Sequence, residues 1–213
     1  MHRLRLKFSR GEQLKYLSHL DLMRLWERAL RRAGLPAAYS EGFSPHPKIS
    51  LAAPLAVGVL SRAEVMDVFL KRVISPEMFR QKLAPQVPEG IEILEISTVD
   101  LQLPSLQSRL RQAEYVVDLE TDRSVEEIKA GLKSMLDRDS FPWHHTRDTG
   151  ERFYDLRLLI EDLWLIEADG SLCLIGMLLR CDASGTGRPE QVARALNFAK
   201  PPLKIERVKL IFA

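Results

Sequence analysis

The chain has 213 residues and a mass of 24.3 kDa, room for one large domain or two small ones. With 46% hydrophobic and 28% charged residues it has globular composition, which excludes disordered, collagen-like and low-complexity chains. Its net charge of +2 is uneven: residues 1–50 hold ten Lys/Arg against four Asp/Glu, and the remaining 163 hold 21 against 25.

Residues 3–8 alternate basic and apolar side chains, the period of a half-buried strand. A short loop over 9–17 leads to Ser18, an N-cap, with Asp21 three residues on in the place of a capping-box glutamate. Leu22, Leu25, Trp26, Ala29, Leu30 and Ala33 then recur at helical spacing until Gly34. Arg24, Arg28, Arg31 and Arg32 fall at i, i+4, i+7 and i+8 on another face, a guanidinium stripe.

Residues 36–40 read as extended, and 41–48 as a loop held open by one glycine and two prolines. An apolar segment over 49–59 reads as a strand ending in a turn at Gly58, and 64–70 as the next strand. Ser75-Pro76 opens a helix to about residue 83, and 91–96 alternates as a strand.

After a linker over 100–111 with room for a short helix, the pattern repeats. A strand over 115–119 precedes a helix over 125–136, opened by the true capping box of Ser124 and Glu127. Strands over 142–147, 152–158, 163–168 and 172–181, a helix over 189–198 and a strand over 205–212 complete it. The expected fold is α+β: two tandem ferredoxin-like β-α-β-β-α-β halves, residues 1–104 and 105–213, each an antiparallel sheet with helices on one face.

No run approaches the ~18 apolar residues of a membrane span, and the basic first ten residues lack the apolar stretch of a signal peptide. The expectation is a cytoplasmic protein without membrane contact. Cys173 and Cys181 fit no zinc or iron–sulfur spacing and read as buried thiols. Neither a nucleophile elbow nor a P-loop nor a dinucleotide fingerprint is present. Ser-Gly-Thr-Gly-Arg-Pro at 184–189 is at most a weak anion cradle, an ordinary flexible loop otherwise. Adjacent His144 and His145, with Asp148 and Glu151 nearby, point to opposite faces of a strand and do not chelate together. The expectation is no metal and no cofactor.

Three segments carry the candidate chemistry. Ser18, His19 and Asp21 crowd a helix N-terminus, whose dipole disfavours a cationic imidazole; the alternative is a plain capping network. Tyr39, Phe43, His46 and Lys48 place aromatic rings and cations on one stiff loop, the means by which single-stranded RNA is held; the alternative is a rigid proline loop. Both segments could lie at one end of the sheet. Asp155 and Arg157 share a strand face, for an ion pair or a phosphate contact.

The strings Tyr16-Leu-Ser-His-Leu-Asp-Leu-Met-Arg24, Arg28-Ala-Leu-Arg-Arg-Ala-Gly-Leu-Pro36 and Tyr39-Ser-Glu-Gly-Phe-Ser-Pro-His-Pro-Lys-Ile-Ser50, with Tyr154-Asp-Leu-Arg157, resemble the bacterial radical-SAM-linked domain of unknown function. The resemblance covers nearly the whole chain. It implies a domain that stands alone or follows a radical-SAM core, encoded beside ribonuclease E/G, with no assigned role. The C-x-x-x-C-x-x-C that would hold a radical-SAM cluster is absent, so the resemblance is to the accessory domain alone. The expected fold is also similar to that of tandem ferredoxin-like CRISPR repeat-processing endoribonucleases, a likeness of fold only.

Three readings follow. In the first, Arg24, Arg28, Arg31 and Lys48 neutralise RNA phosphates while Tyr39 and Phe43 stack bases, beside His46. In the second, the chain is a non-enzymatic module that docks a radical-SAM enzyme or ribonuclease E/G. In the third it is a metal-independent endoribonuclease, with His19 or His46 as general acid or base.

Overall fold

The computed structural model describes residues 1–147 and 150–213. They form a mixed α+β protein, antiparallel wherever a strand register is defined. The chain clusters into two units, Met1–Leu110 with Phe212–Ala213, and Arg111–Ile211.

The first unit runs β1 (His2–Arg10), α1 (His19–Arg32), β2 (Ile49–Leu51), β3 (Leu60–Leu70), α2 (Pro76–Leu83), β4 (Ile91–Val99) and α3 (Leu106–Arg109). Its strands lie in the order β4-β1-β3-β2. Alternation on β1 sends Leu4, Leu6 and Phe8 into the core with Trp26 and Leu30 of α1 and Phe79 and Leu83 of α2. Phe8 and Trp26 meet edge to face, centroids 4.8 Å apart.

The opposite alternation turns Arg3 and Arg5 onto Asp67 of β3, which is fully buried. Arg3 donates from Nη2 at 2.6 Å and Nε at 3.0 Å, and Arg5 from Nε at 2.8 Å. The remaining Arg3 donors reach the carbonyls of Asp100, Leu103 and Pro104. Arg10, also buried, donates to the carbonyls of Lys15, Leu17, Ala56 and Val59, binding two loops together. Three cations of the basic N-terminal region are thus consumed inside the fold.

The second unit runs β5 (Leu110–Glu120), α4 (Val125–Leu136), β6 (Pro142–Arg147), β7 (Gly150–Asp155), β8 (Ile160–Asp169), β9 (Leu172–Asp182), β10 (Gly185–Thr186), α5 (Pro189–Ala195) and β11 (Lys204–Phe212). β9 pairs with β5 and β8, β10 folds back on β9, β11 follows β5, and β6–β7 is a separate hairpin. Ile128, Leu132 and Met135 of α4 are buried, as are Val117 and Leu119 of β5 and Ile175 and Met177 of β9. Cys173 and Cys181 are free, buried thiols on β9. Burial pushes the Cys173 thiol pKa up.

The elements differ from expectation in several places, and β5 begins at Leu110, inside the expected linker. The strand expected over 49–59 stops at Leu51, where prolines 47 and 54 bracket the segment. β3 starts earlier, at Leu60. The strand expected over 152–158 ends at Asp155, and a 3-10 turn, Arg157–Leu159, follows. The last helix stops at Ala195, before Asn197 with φ of 59°.

Candidate nucleic-acid interface

Helix α1 begins where its cap chemistry says it should. Ser18 Oγ accepts from the Asp21 N–H at 3.2 Å, and the Ser18 hydroxyl donates to the Asp21 carboxylate at 2.7 Å. The Ser18 hydroxyl, helped by Arg24, holds the Asp21 carboxyl below its ordinary pKa. His19 is the first helical residue, half-buried, its Nδ1 out of contact with solvent and without a partner.

The buried face of α1 is Leu22, Trp26, Ala29 and Leu30, which leaves Arg24, Arg28, Arg31 and Arg32 exposed. Arg24 reaches Asp21 at 3.3 Å and Arg28 Nε donates to the Arg24 carbonyl at 3.2 Å. Arg32 is turned away, donating to the Gln86 carbonyl at 2.6 Å. The Arg31 side chain has no partner among the described residues.

Residues 39–48 form a closed excursion. Tyr39 and Pro47 make a backbone bridge, the Ser40 N–H donates to the His46 carbonyl at 2.8 Å, and the His46 N–H donates to Ser40 Oγ at 3.0 Å. The Lys48 N–H donates to the Ala38 carbonyl at 2.7 Å, and the Phe69 N–H to the Lys48 carbonyl at 3.1 Å, which ties the base of the loop to the end of β3. At the tip Gly42 takes φ of +121°, a conformation that L side chains rarely adopt. Phe43 beside it is fully exposed.

One contact joins the two segments. His46 Nδ1 lies 3.3 Å from Glu27 Oε1 of α1. Glu27 is three residues from Arg24 and four from Arg31, so all three share one helix face. The loop therefore stands beside the arginines, with Phe43 and Tyr39 presented from it. Tyr39 is 38% exposed, and the Lys71 ammonium lies 5.6 Å from its ring centroid. Lys71, with exposed Arg72 after it, is a member of this surface that sequence reasoning missed. The signal was there: a Lys-Arg pair closing an apolar strand. Aromatic rings can stack bases, and the guanidinium and ammonium groups of this surface can pair phosphates.

The second unit's candidates make contacts within that unit. Asp155 Oδ1 accepts from the Phe141 and Arg157 backbone N–H groups at 2.8 and 2.9 Å, the former leading in holding its carboxyl below the ordinary pKa. The Arg157 side chain caps α4 instead of pairing with Asp155: it donates to the Leu136 carbonyl at 2.9 Å and to the Ile160 carbonyl at 2.6 Å. Ser184 bonds back to the Asp182 carboxylate through N–H and hydroxyl, so that loop faces a negative charge of its own. His144 stacks on Phe153, centroids 4.5 Å apart, and its Nε2 lies 3.6 Å from Glu151; Asp148 lies outside the described residues.

Residues 3–189 match a family described as an uncharacterized protein conserved in bacteria (DUF2344). No curated protein matches the sequence. Among solved structures, the chain is similar to one in a Cbf5-Nop10-Gar1 complex, with a TM-score of 0.54 and 10% identity over 97% of this chain and 48% of that one. It is also similar to one in an archaeal box H/ACA sRNP Nop10-Cbf5 complex, with a TM-score of 0.50 and 11% identity over 96% and 46%. It spans under half the length of the chains it matches, and the likeness is one of fold.

Proposed function

The chain belongs to that bacterial family, and from the site we propose that it binds single-stranded RNA through the exposed face of α1 and the loop over 39–48. The observation that carries the reading is the His46–Glu27 contact, which joins the loop carrying exposed Phe43 to the helix carrying the exposed arginines. Arg24, Arg28, Arg31 and Lys48, with Lys71 and Arg72, pair phosphates; Tyr39 and Phe43 stack bases. The matched archaeal structure is itself an sRNP complex, which supports RNA as the partner class. The antiparallel order β4-β1-β3-β2 supports reading the first unit as a ferredoxin-like half. The second unit supports the same plan, with β5, β8, β9 and β11 as its four strands and the β6–β7 hairpin inserted.

The test is fluorescence anisotropy with a labelled unstructured RNA, using wild type, Tyr39→Ala and Phe43→Ala. The reading expects wild-type binding that each alanine weakens; a folded wild type that leaves the RNA free overturns it. That second result would favour a radical-SAM enzyme or ribonuclease E/G as the partner.

A further inference from the structure

The second unit carries a feature that the RNA-binding surface does not use. A cleft of ≈ 330 Å³, open to solvent, is lined by Arg138, Arg157 and Arg180, with Asp139 and Glu161 among the other lining residues. Each arginine is held by a different contact. Arg157 spends three N–H groups on the Leu136 and Ile160 carbonyls, which fixes its plane and leaves two of its five donors over. Arg138 is exposed, its guanidinium 5.3 Å from the Phe141 ring centroid. Arg180 meets Glu161 only at 3.5 Å, long against the ~2.7–2.9 Å of a charge-assisted bond. Three guanidinium groups thus face two carboxylates, one pre-set and two able to close on an anion.

We propose that this cleft binds a phosphate or phosphodiester group. It rests on the RNA-binding reading only for the source of that phosphate, which there is an RNA backbone phosphate. Arg138 and Arg180 supply the adjustable donors and Arg157 the fixed ones. Asp139 opposes the anion and limits its affinity.

The test uses the whole chain and inorganic pyrophosphate at constant ionic strength, read by NMR from the arginine Nε–H signals. The expectation is a saturable shift at Arg157 and Arg180, weakened at least about tenfold in the Arg138→Gln/Arg180→Gln variant. Asp139→Asn, an exposed change that should leave the fold intact, is expected to tighten binding. No saturable shift in the wild type, or the same affinity in all three proteins, overturns the proposal. Labelled RNA in parallel separates the sources. Weaker RNA binding by the double variant assigns the site to a nucleic-acid backbone. Unchanged RNA binding with saturable pyrophosphate assigns it to a free phosphate compound and upholds the site. If pyrophosphate saturates the cleft while RNA binds nowhere, the RNA reading fails and the cleft stands.

Discussion

Strand β1 and helix α1 are neighbours in sequence and carry similar numbers of arginines, yet the two sets have opposite fates. Arg3, Arg5 and Arg10 are buried or largely so, and they donate to Asp67 and to backbone carbonyls. Arg24, Arg28 and Arg31 are exposed, and their contacts are short-range and weak or absent. A net local charge cannot distinguish these cases. What decides is whether a carboxylate or carbonyl from distant sequence arrives: Asp67 lies 62 and 64 residues from its two partners. The first set holds the fold together, and only the second is free to meet a ligand.

That contrast can be broken most forcefully at Asp67. Asp67→Ala leaves two guanidinium groups without their counter-charge inside the unit and should cost about 3–5 kcal/mol in urea unfolding. RNA affinity measured where the variant is folded should match wild type. A loss under about 1 kcal/mol would mean that the β1 arginines are not structural. Phe43→Ala is the mirror image: stability within about 0.5 kcal/mol of wild type, but RNA affinity lower by about 1–3 kcal/mol per stacked base. An equal loss in both quantities would show that the loop tip packs rather than binds.

Ser18→Ala sharpens the comparison within α1, since it removes the cap without touching an arginine. It should lower stability by about 1 kcal/mol. The smallest effect is in acid. Because the folded state depresses the Asp21 pKa, its contribution is present above the ordinary carboxylate value and is lost as pH falls through the folded value. An NMR titration of the Asp21 carboxyl should show a lower midpoint in wild type than in Ser18→Ala; equal midpoints would exclude the Ser18 hydroxyl as the cause.

What the sequence made legible was local. The Ser18 and Ser124 caps and the alternation of β1 each rest on contacts a few residues long, and each stands in the structure as read. Tertiary partners were illegible. Arg157 sits where period two predicts a strand, yet the α4 carbonyl of Leu136, 21 residues back, claims its side chain. Gly176 gave no sign that a Cβ there would meet the Trp164 ring at 2.0 Å, an approach only the paired β8 and β9 create. Likewise the arginine stripe and the proline loop could be singled out separately. Their union through Glu27 and His46, 19 residues apart, required the fold.

The most direct measurement is RNA affinity across a salt series, from about 50 to 300 mM, for wild type and the Arg24→Glu/Arg28→Glu/Arg31→Glu variant. If the α1 arginines are the free set, wild-type log K falls steeply with log salt. The variant binds far more weakly with a slope reduced by about 2, as ~0.7 per lost phosphate contact requires, and it unfolds at nearly the wild-type denaturant concentration. Equal affinity and equal slope in the two proteins would contradict the account.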